Sequence, residues 1–133
     1  MAKVLIVDDS AMMRVVISNF ISTMPQYKIV AAAENGKKAL EQLAKHPDLD
    51  LILLDIEMPE MNGLEFLRHA KMKSRAKVIV LSSVAAAGSR QAAEARSLGA
   101  SAIVTKPSGA VSMDLAQKSG SELAHVMKTV CGV

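Results

Sequence analysis

The chain has 133 residues, a length that accommodates one domain with a buried core and excludes a receptor joined to an enzyme. Half of the residues are hydrophobic, 22% are charged and the formal net charge is +3, which excludes an intrinsically disordered chain and is only a weak signal of nucleic-acid binding. Two Phe, one Tyr and no Trp leave too few aromatic rings for a platform on which bases stack, so we expect no nucleic-acid partner.

The N-terminus and the cysteine content indicate where the protein works. Cys131 is the only cysteine, which excludes a disulfide framework and a Cys-based zinc site within the chain. The apolar run near the N-terminus is too short for a signal peptide, and no stretch approaches the roughly 20 apolar residues of a membrane span. We therefore expect a cytoplasmic protein with no membrane partner.

Short apolar runs alternate with segments of helical periodicity along the whole chain. The predicted strands are residues 4–7, 28–33, 51–54, 78–81 and 102–104. The first helix carries apolar residues between 13 and 24 and ends at Pro25, and the second ends at Pro47. The third covers about 64–72, the fourth runs from about Ser89 to Leu98 before Gly99, and the fifth includes residues 123–130.

This alternation predicts the fold class. Unbroken apolar strands joined by helices are typical of parallel sheets covered on both faces, because parallel strands need crossover connections. We therefore predict an α/β fold, a doubly wound five-stranded parallel sheet with five helices. Residues 108–118 are rich in Ser and Gly and weakly periodic, so we predict a loop there before the last helix.

Polar residues follow four of the predicted strands: Asp8 and Asp9, Asp55, Ser82 and Lys106. In doubly wound sheets the chemistry gathers outside the carboxyl ends of the strands, so these side chains are predicted to meet. Three carboxylates repel one another unless a cation is present, and oxygen ligands favour Mg²⁺, with Mn²⁺ as a second candidate. A carboxylate beside Mg²⁺ and a Lys can attack phosphorus, and a Ser hydroxyl can then donate a hydrogen bond to a phosphoryl oxygen.

Each of these residues also has an ordinary interpretation. Asp9 or Ser10 alone would cap a helix, Asp55 alone would be a solvated loop residue, and Ser82 alone would be a turn or cap residue. The sequence Lys106-Pro107 alone would be an ordinary turn. Their occurrence together at successive strand ends favours one shared site.

The motifs resemble the signature blocks of the receiver domain of two-component response regulators, a flavodoxin-like family, over residues 3–107. The matching blocks are Ile6-Val7-Asp8-Asp9-Ser10, Leu54-Asp55-Ile56-Glu57-Met58-Pro59 with Asn62-Gly63, Leu81-Ser82-Ser83, and Gly99-Ala100 followed by Lys106-Pro107. The resemblance implies that Asp55 is the phosphoacceptor and takes its phosphoryl group from the phosphohistidine of a sensor kinase.

The same resemblance assigns the remaining roles. It implies that Mg²⁺ is bound by the side chains of Asp8, Asp9 and Asp55 and by the backbone carbonyl of Glu57. It also implies that Ser82 and Lys106 contact the phosphoryl group and that the Lys106–Pro107 peptide bond is cis. The family commonly has an aromatic switch residue three positions before this Lys, where this chain has Ile103. We therefore predict that switching uses loop and helix shifts without a rotating ring.

Features of two segments are similar to the regulatory domain of the chemotaxis protein-glutamate methylesterase. They are the long segment from Ser82 to Gly99, with Gly88-Ser89, and the stretches Pro107-Ser108-Gly109 and Ser112-Met113-Asp114. The chain has no G-x-S-x-G-type nucleophile turn. We therefore expect a receiver domain over 1–133 with no effector domain, and no enzyme activity beyond its own phosphorylation and dephosphorylation. The parent protein is expected to be a methylesterase.

Two alternatives remain open. The first is a stand-alone chemotaxis relay that docks on a separate partner or effector. The second is a Mg²⁺-dependent aspartyl phosphatase. The nucleophile motif of such enzymes has one residue between its two Asp residues, whereas Asp8 and Asp9 are adjacent, so the sequence disfavours this alternative.

Overall fold

The computed structural model describes residues 2–55, 63–82, 90–105 and 113–132, in which strands and helices alternate. The strands are β1 (Ala2–Val7), β2 (Tyr27–Ala33), β3 (Leu51–Asp55), β4 (Lys77–Ser82) and β5 (Ala102–Thr105). The helices are α1 (Ala11–Ser22), α2 (Gly36–Lys45), α3 (Gly63–Lys73), α4 (Arg90–Ser97) and α5 (Met113–Cys131). None of the described helices is long and apolar enough to cross a membrane.

The strands form one parallel sheet in the order β2-β1-β3-β4-β5, which confirms the predicted doubly wound architecture. The chain first moves from β1 to β2 at one edge and then continues through β3, β4 and β5 on the other side of β1. The strand order therefore reverses between β1 and β3. In such sheets a crevice opens at this point, outside the carboxyl ends of the two strands.

The core lies on both faces of the sheet. Alternate strand residues such as Val7, Leu54 and Val80 pack with Phe66 and its neighbours in one cluster. The other strand residues, such as Ile6 and Leu53, pack in a second cluster. Because successive side chains of a strand point to opposite faces, burial of both faces requires an unbroken apolar run. This is why the alternation of polar and apolar residues expected of a half-exposed strand is missing from β1, β3 and β4.

Polar side chains and one glycine fix helix ends on this scaffold. The Oδ1 of Asn35 accepts a hydrogen bond of 2.8 Å from the backbone N–H of Lys38 and caps α2. After α4, Gly99 has a φ of +105°, and a Cβ placed there would lie 2.9 Å from Cε of Lys71. Glycine is favoured here by the positive φ, because the Lys71 side chain is flexible and could move away from a Cβ.

The predicted loop at 108–118 is wrong in its second half, because α5 already begins at Met113. Residues 108–112 of that stretch lie outside the described part of the chain. The segment 113–118 contains Met, Leu, Ala, Gln and Lys, which are good helix formers. These propensities and the attachment to the long amphipathic part of α5 outweigh the Ser and Gly residues on which the loop prediction depended.

Candidate functional site

The register of the sheet brings Asp8 and Asp55 to the same edge. Val7 of β1 pairs with Leu54 of β3, so the next residue along each strand is an aspartate. Both side chains are buried, with Asp8 0% and Asp55 1% exposed. Two carboxylates so deeply buried at the crevice indicate a functional role, because taking a charged group out of water costs free energy and Asp is rarely fully buried.

Asp9 completes a cluster of three carboxylates. One carboxylate oxygen from each of Asp8, Asp9 and Asp55 lies within 4.8 Å of the other two. Asp9 is exposed, so the cluster opens to solvent on its side. Oxygen donors alone, a high negative charge and one open side fit a hard divalent cation such as Mg²⁺, which keeps several waters and few carboxylate ligands. The predicted convergence of these three residues is therefore present in the structure.

Asp8 is held at three points. Its backbone N–H donates to the carbonyl oxygen of Ala33 at 3.0 Å, which ties the end of β1 to β2. Its Oδ1 accepts a hydrogen bond of 2.8 Å from the backbone N–H of Ser10. Its carbonyl oxygen accepts a hydrogen bond of 2.6 Å from Nη1 of Arg14. These contacts place one buried carboxylate rigidly at the bottom of the crevice.

The sequence left open whether Asp9 and Ser10 cap the first helix or belong to a polar site, and the structure gives the two residues different roles. The Oγ of Ser10 accepts from the backbone N–H of Met13 at 3.2 Å and caps α1. The capping interpretation is therefore right for Ser10, whereas Asp9 belongs to the carboxylate cluster.

Ser82 ends β4 beside the cluster. Asp55 pairs with Leu81, so Ser82 lies one residue further along the neighbouring strand. It is fully buried, and within the described ranges its Oγ has no hydrogen-bond partner. A buried hydroxyl of this kind costs free energy unless a ligand or water accepts its hydrogen bond. Its position suits a contact with a ligand bound over Asp55.

Of the other predicted site residues, Ile103 lies within the described part of the chain and the rest lie outside it. Ile103 lies in β5 opposite Val80, is partly buried and packs against the cluster that contains Phe66. Glu57, Lys106 and the Lys106–Pro107 peptide bond lie outside the described residues. Their roles, including the predicted cis bond, stay predictions.

The sequence-family model described as the response regulator receiver domain matches residues 4–117. The chain belongs to this family. Among curated relatives, the protein-glutamate methylesterase/protein-glutamine glutaminase of Treponema denticola is 46% identical over 114 residues, which are 85% of this chain and 30% of that protein. The protein of the same description from Treponema pallidum is 49% identical over 113 residues, 84% of this chain and 28% of that protein.

Two solved structures are similar over almost the whole receiver. One is a chain in the crystal structure of the P1 domain of CheA3 in complex with CheY6 from R. sphaeroides, with 57% identity and a TM-score of 0.83 over 99% of this chain and 98% of that one. The other is the response regulator domain of Thermotoga maritima CheB, with 35% identity and a TM-score of 0.84 over 100% of this receiver and 98% of that chain. The receiver spans less than a third of the curated methylesterases above and nearly all of both solved chains.

Sequence reasoning missed Arg14 as a site residue. It is the only charged residue of α1, a helix otherwise built from apolar and small polar side chains. Side chains of a helix tilt toward its N-terminus, so a long side chain at the end of the first turn reaches the loop that precedes the helix. A single cation at this position, six residues after Asp8, is the signal that could have found it.

Proposed function

We propose that this receiver accepts a phosphoryl group on Asp55 from the phosphohistidine of a sensor kinase and changes its surface in response. The observation that carries this proposal is the cluster of buried Asp8, buried Asp55 and exposed Asp9, with the buried Ser82 hydroxyl beside it. A buried carboxylate nucleophile, neighbouring carboxylates for a divalent cation and a hydroxyl donor are the groups that phosphoryl transfer to an aspartate needs.

The chemical step assigns a task to each side chain. An oxygen of Asp55 attacks phosphorus while the phosphorus–nitrogen bond of the phosphohistidine breaks and its electron pair returns to the imidazole. The other ring nitrogen of the phosphohistidine carries a proton, so the leaving group departs as a neutral imidazole. The product is an aspartyl phosphate and a neutral histidine. Mg²⁺, bound by Asp8, Asp9, Asp55 and the carbonyl of Glu57, would neutralise charge on the transferred oxygens. Ser82 and Lys106 would donate to the same oxygens.

The switch follows from the position of Ser82. A phosphoryl group adds nearly two negative charges and three strong acceptor oxygens above Asp55. A conformation in which the Ser82 hydroxyl donates to one of them becomes favoured, because phosphorylation biases an equilibrium toward the state that it stabilises. The surface around β4, α4 and β5 would change as Ser82 and the segment after it move.

Intact-mass measurement tests the phosphoacceptor. Wild-type protein incubated with Mg²⁺ and acetyl phosphate should gain one phosphoryl group, and Asp55→Asn should gain none. Asp48→Asn is the matched control, because Asp48 is an exposed aspartate paired with Lys3 at the opposite end of the sheet. An unmodified wild type would refute the proposal. Repeated turnover of unrelated phosphomonoesters would favour the aspartyl phosphatase instead.

We infer that the output is a methylesterase-type effector domain, because the curated relatives above carry that description and the matched segment is only 30% and 28% of their length. A stand-alone relay is favoured by a different observation, the 57% identity to a solved chain of which this receiver covers 98%. The coding sequence after Val133 distinguishes the two. A linker and a hydrolase domain with a serine nucleophile would support the first output, and a stop codon would support the second.

A further inference from the structure

Arg14 connects the first helix to the carboxylate cluster. Its Nη1 donates to the carbonyl oxygen of Asp8 at 2.6 Å, and the contact is partly buried. A charge-assisted hydrogen bond in a partly desolvated position is stronger than a neutral one. Arg14 is therefore well placed to restrain the backbone at this point.

The atom that Arg14 holds belongs to the peptide unit between Asp8 and Asp9. A peptide unit is planar, so fixing the Asp8 carbonyl also fixes the direction in which the chain enters Asp9. Asp8 itself is already held by Ala33 and Ser10. The Asp9 carboxylate, in contrast, is exposed and forms no ion pair with any described residue. The hydrogen bond from Arg14 thus restrains the backbone that leads into Asp9.

Arg14 also brings a positive charge close to the site. Its charge reaches Glu34, whose pKa is lowered mainly by the hydrogen bond and charge of Lys38 and to a smaller extent by Arg14. A positive charge near a cation site weakens cation binding by repulsion, whereas a correctly oriented ligand strengthens it. The two effects of Arg14 have opposite signs, so an experiment can separate them.

We propose that Arg14 is a positioning residue that holds the Asp8–Asp9 peptide in the conformation that binds a divalent cation. This inference rests on the Mg²⁺ site of the proposed function. The orienting effect outweighs the repulsion, because the hydrogen bond acts directly on the ligating segment while the guanidinium charge is partly solvated.

Calorimetric titration with Mg²⁺ tests this inference on the wild type, Arg14→Met and Arg14→Lys. Arg14→Met should bind Mg²⁺ at least about 10-fold more weakly, the usual loss when a group that orients a ligand is removed. Arg14→Lys, which keeps the charge and a donor, should recover part of the affinity. Lys38→Met is the matched control, because Lys38 lines the same shallow pocket as Arg14 and pairs with the exposed Glu34. It should bind Mg²⁺ no more weakly than the wild type.

A second measurement needs no metal. In metal-free Arg14→Met, the backbone amide of Asp8, which donates to the carbonyl oxygen of Ala33, should exchange its hydrogen faster, while amides in the centre of β3 should not change. Arg14→Met with unchanged or tighter Mg²⁺ binding would overturn the inference, even if its melting temperature fell. Failure of the wild type itself to bind Mg²⁺ would instead refute the metal site of the proposed function.

Discussion

Neutralising Asp55 should make the metal-free protein more stable. The Asp55→Asn substitution keeps the shape of the side chain and removes one of three negative charges whose nearest oxygens lie within 4.8 Å of one another. At an effective dielectric constant of about 20, two unit charges at that separation repel by about 3 kcal/mol. Each charge is spread over two oxygens, and Asp9 is exposed. We therefore expect a gain of about 1–3 kcal/mol in the free energy of unfolding.

Urea denaturation followed by circular dichroism measures this gain, since the chain has no Trp to report by fluorescence. In EDTA the midpoint for Asp55→Asn should lie above that of the wild type. Added Mg²⁺ should stabilise the wild type, by about 1.4 kcal/mol at ten times its Kd, because a ligand that binds only the folded state stabilises by RT ln(1 + [L]/Kd). Asp55→Asn should gain less from Mg²⁺, because it would lack one of the three carboxylates of the proposed metal site.

Asp48→Asn is the control for the change of an aspartate to an asparagine. Asp48 is exposed and forms an ion pair with Lys3, so its neutralisation should not stabilise the protein. If Asp55→Asn were less stable than the wild type in EDTA, or if Asp48→Asn gained as much, electrostatic repulsion within the cluster could not be the reason for the effect.

Three further predictions concern packing, capping and the single thiol. Phe66 is fully buried, so Phe66→Ala should cost about 3–5 kcal/mol of unfolding free energy in urea. Asn35 caps α2, so Asn35→Ala should cost about 1 kcal/mol in the same assay, and Asn35→Asp should restore most of it. Burial, and next the charge of Asp50, raise the pKa of the Cys131 thiol, while Lys77 lowers it. The pH midpoint for alkylation of native Cys131 by iodoacetamide should therefore lie above that of the urea-unfolded chain, and Lys77→Met should move it higher.

Each of these has a result that contradicts it. A loss below about 1 kcal/mol for Phe66→Ala would mean that the site collapses around the smaller side chain. An Asn35→Asp variant no more stable than Asn35→Ala would show that the side-chain oxygen is not what matters. Equal alkylation midpoints for native and unfolded Cys131 would refute the pKa argument, because only a raised pKa shifts the midpoint, whereas poor access alone lowers the rate at every pH.

The strands were predictable because each of them is marked by a short apolar run in the sequence itself. The runs in β1, β3 and β4 are unbroken because residues on both faces of each strand are buried. The start of α5 was not predictable from the same kind of signal. Ser and Gly weaken the periodicity after Lys106, and the helix from Met113 depends on propensity and on its continuity with residues 123–130. Helix boundaries depend on such small differences, whereas the existence of a long amphipathic helix does not.

The sequence by itself determined that Asp8, Asp9, Asp55 and Ser82 share one end of the sheet, since each follows or ends a predicted strand and parallel strands point the same way. Only the tertiary structure decided how they meet. The pairing of β1 with β3 brings two aspartates side by side, and the closure of both faces by helices buries them. The bond from Arg14 to the Asp8 carbonyl also appears only in three dimensions, because it depends on where a long side chain ends rather than on where its residue lies in the chain.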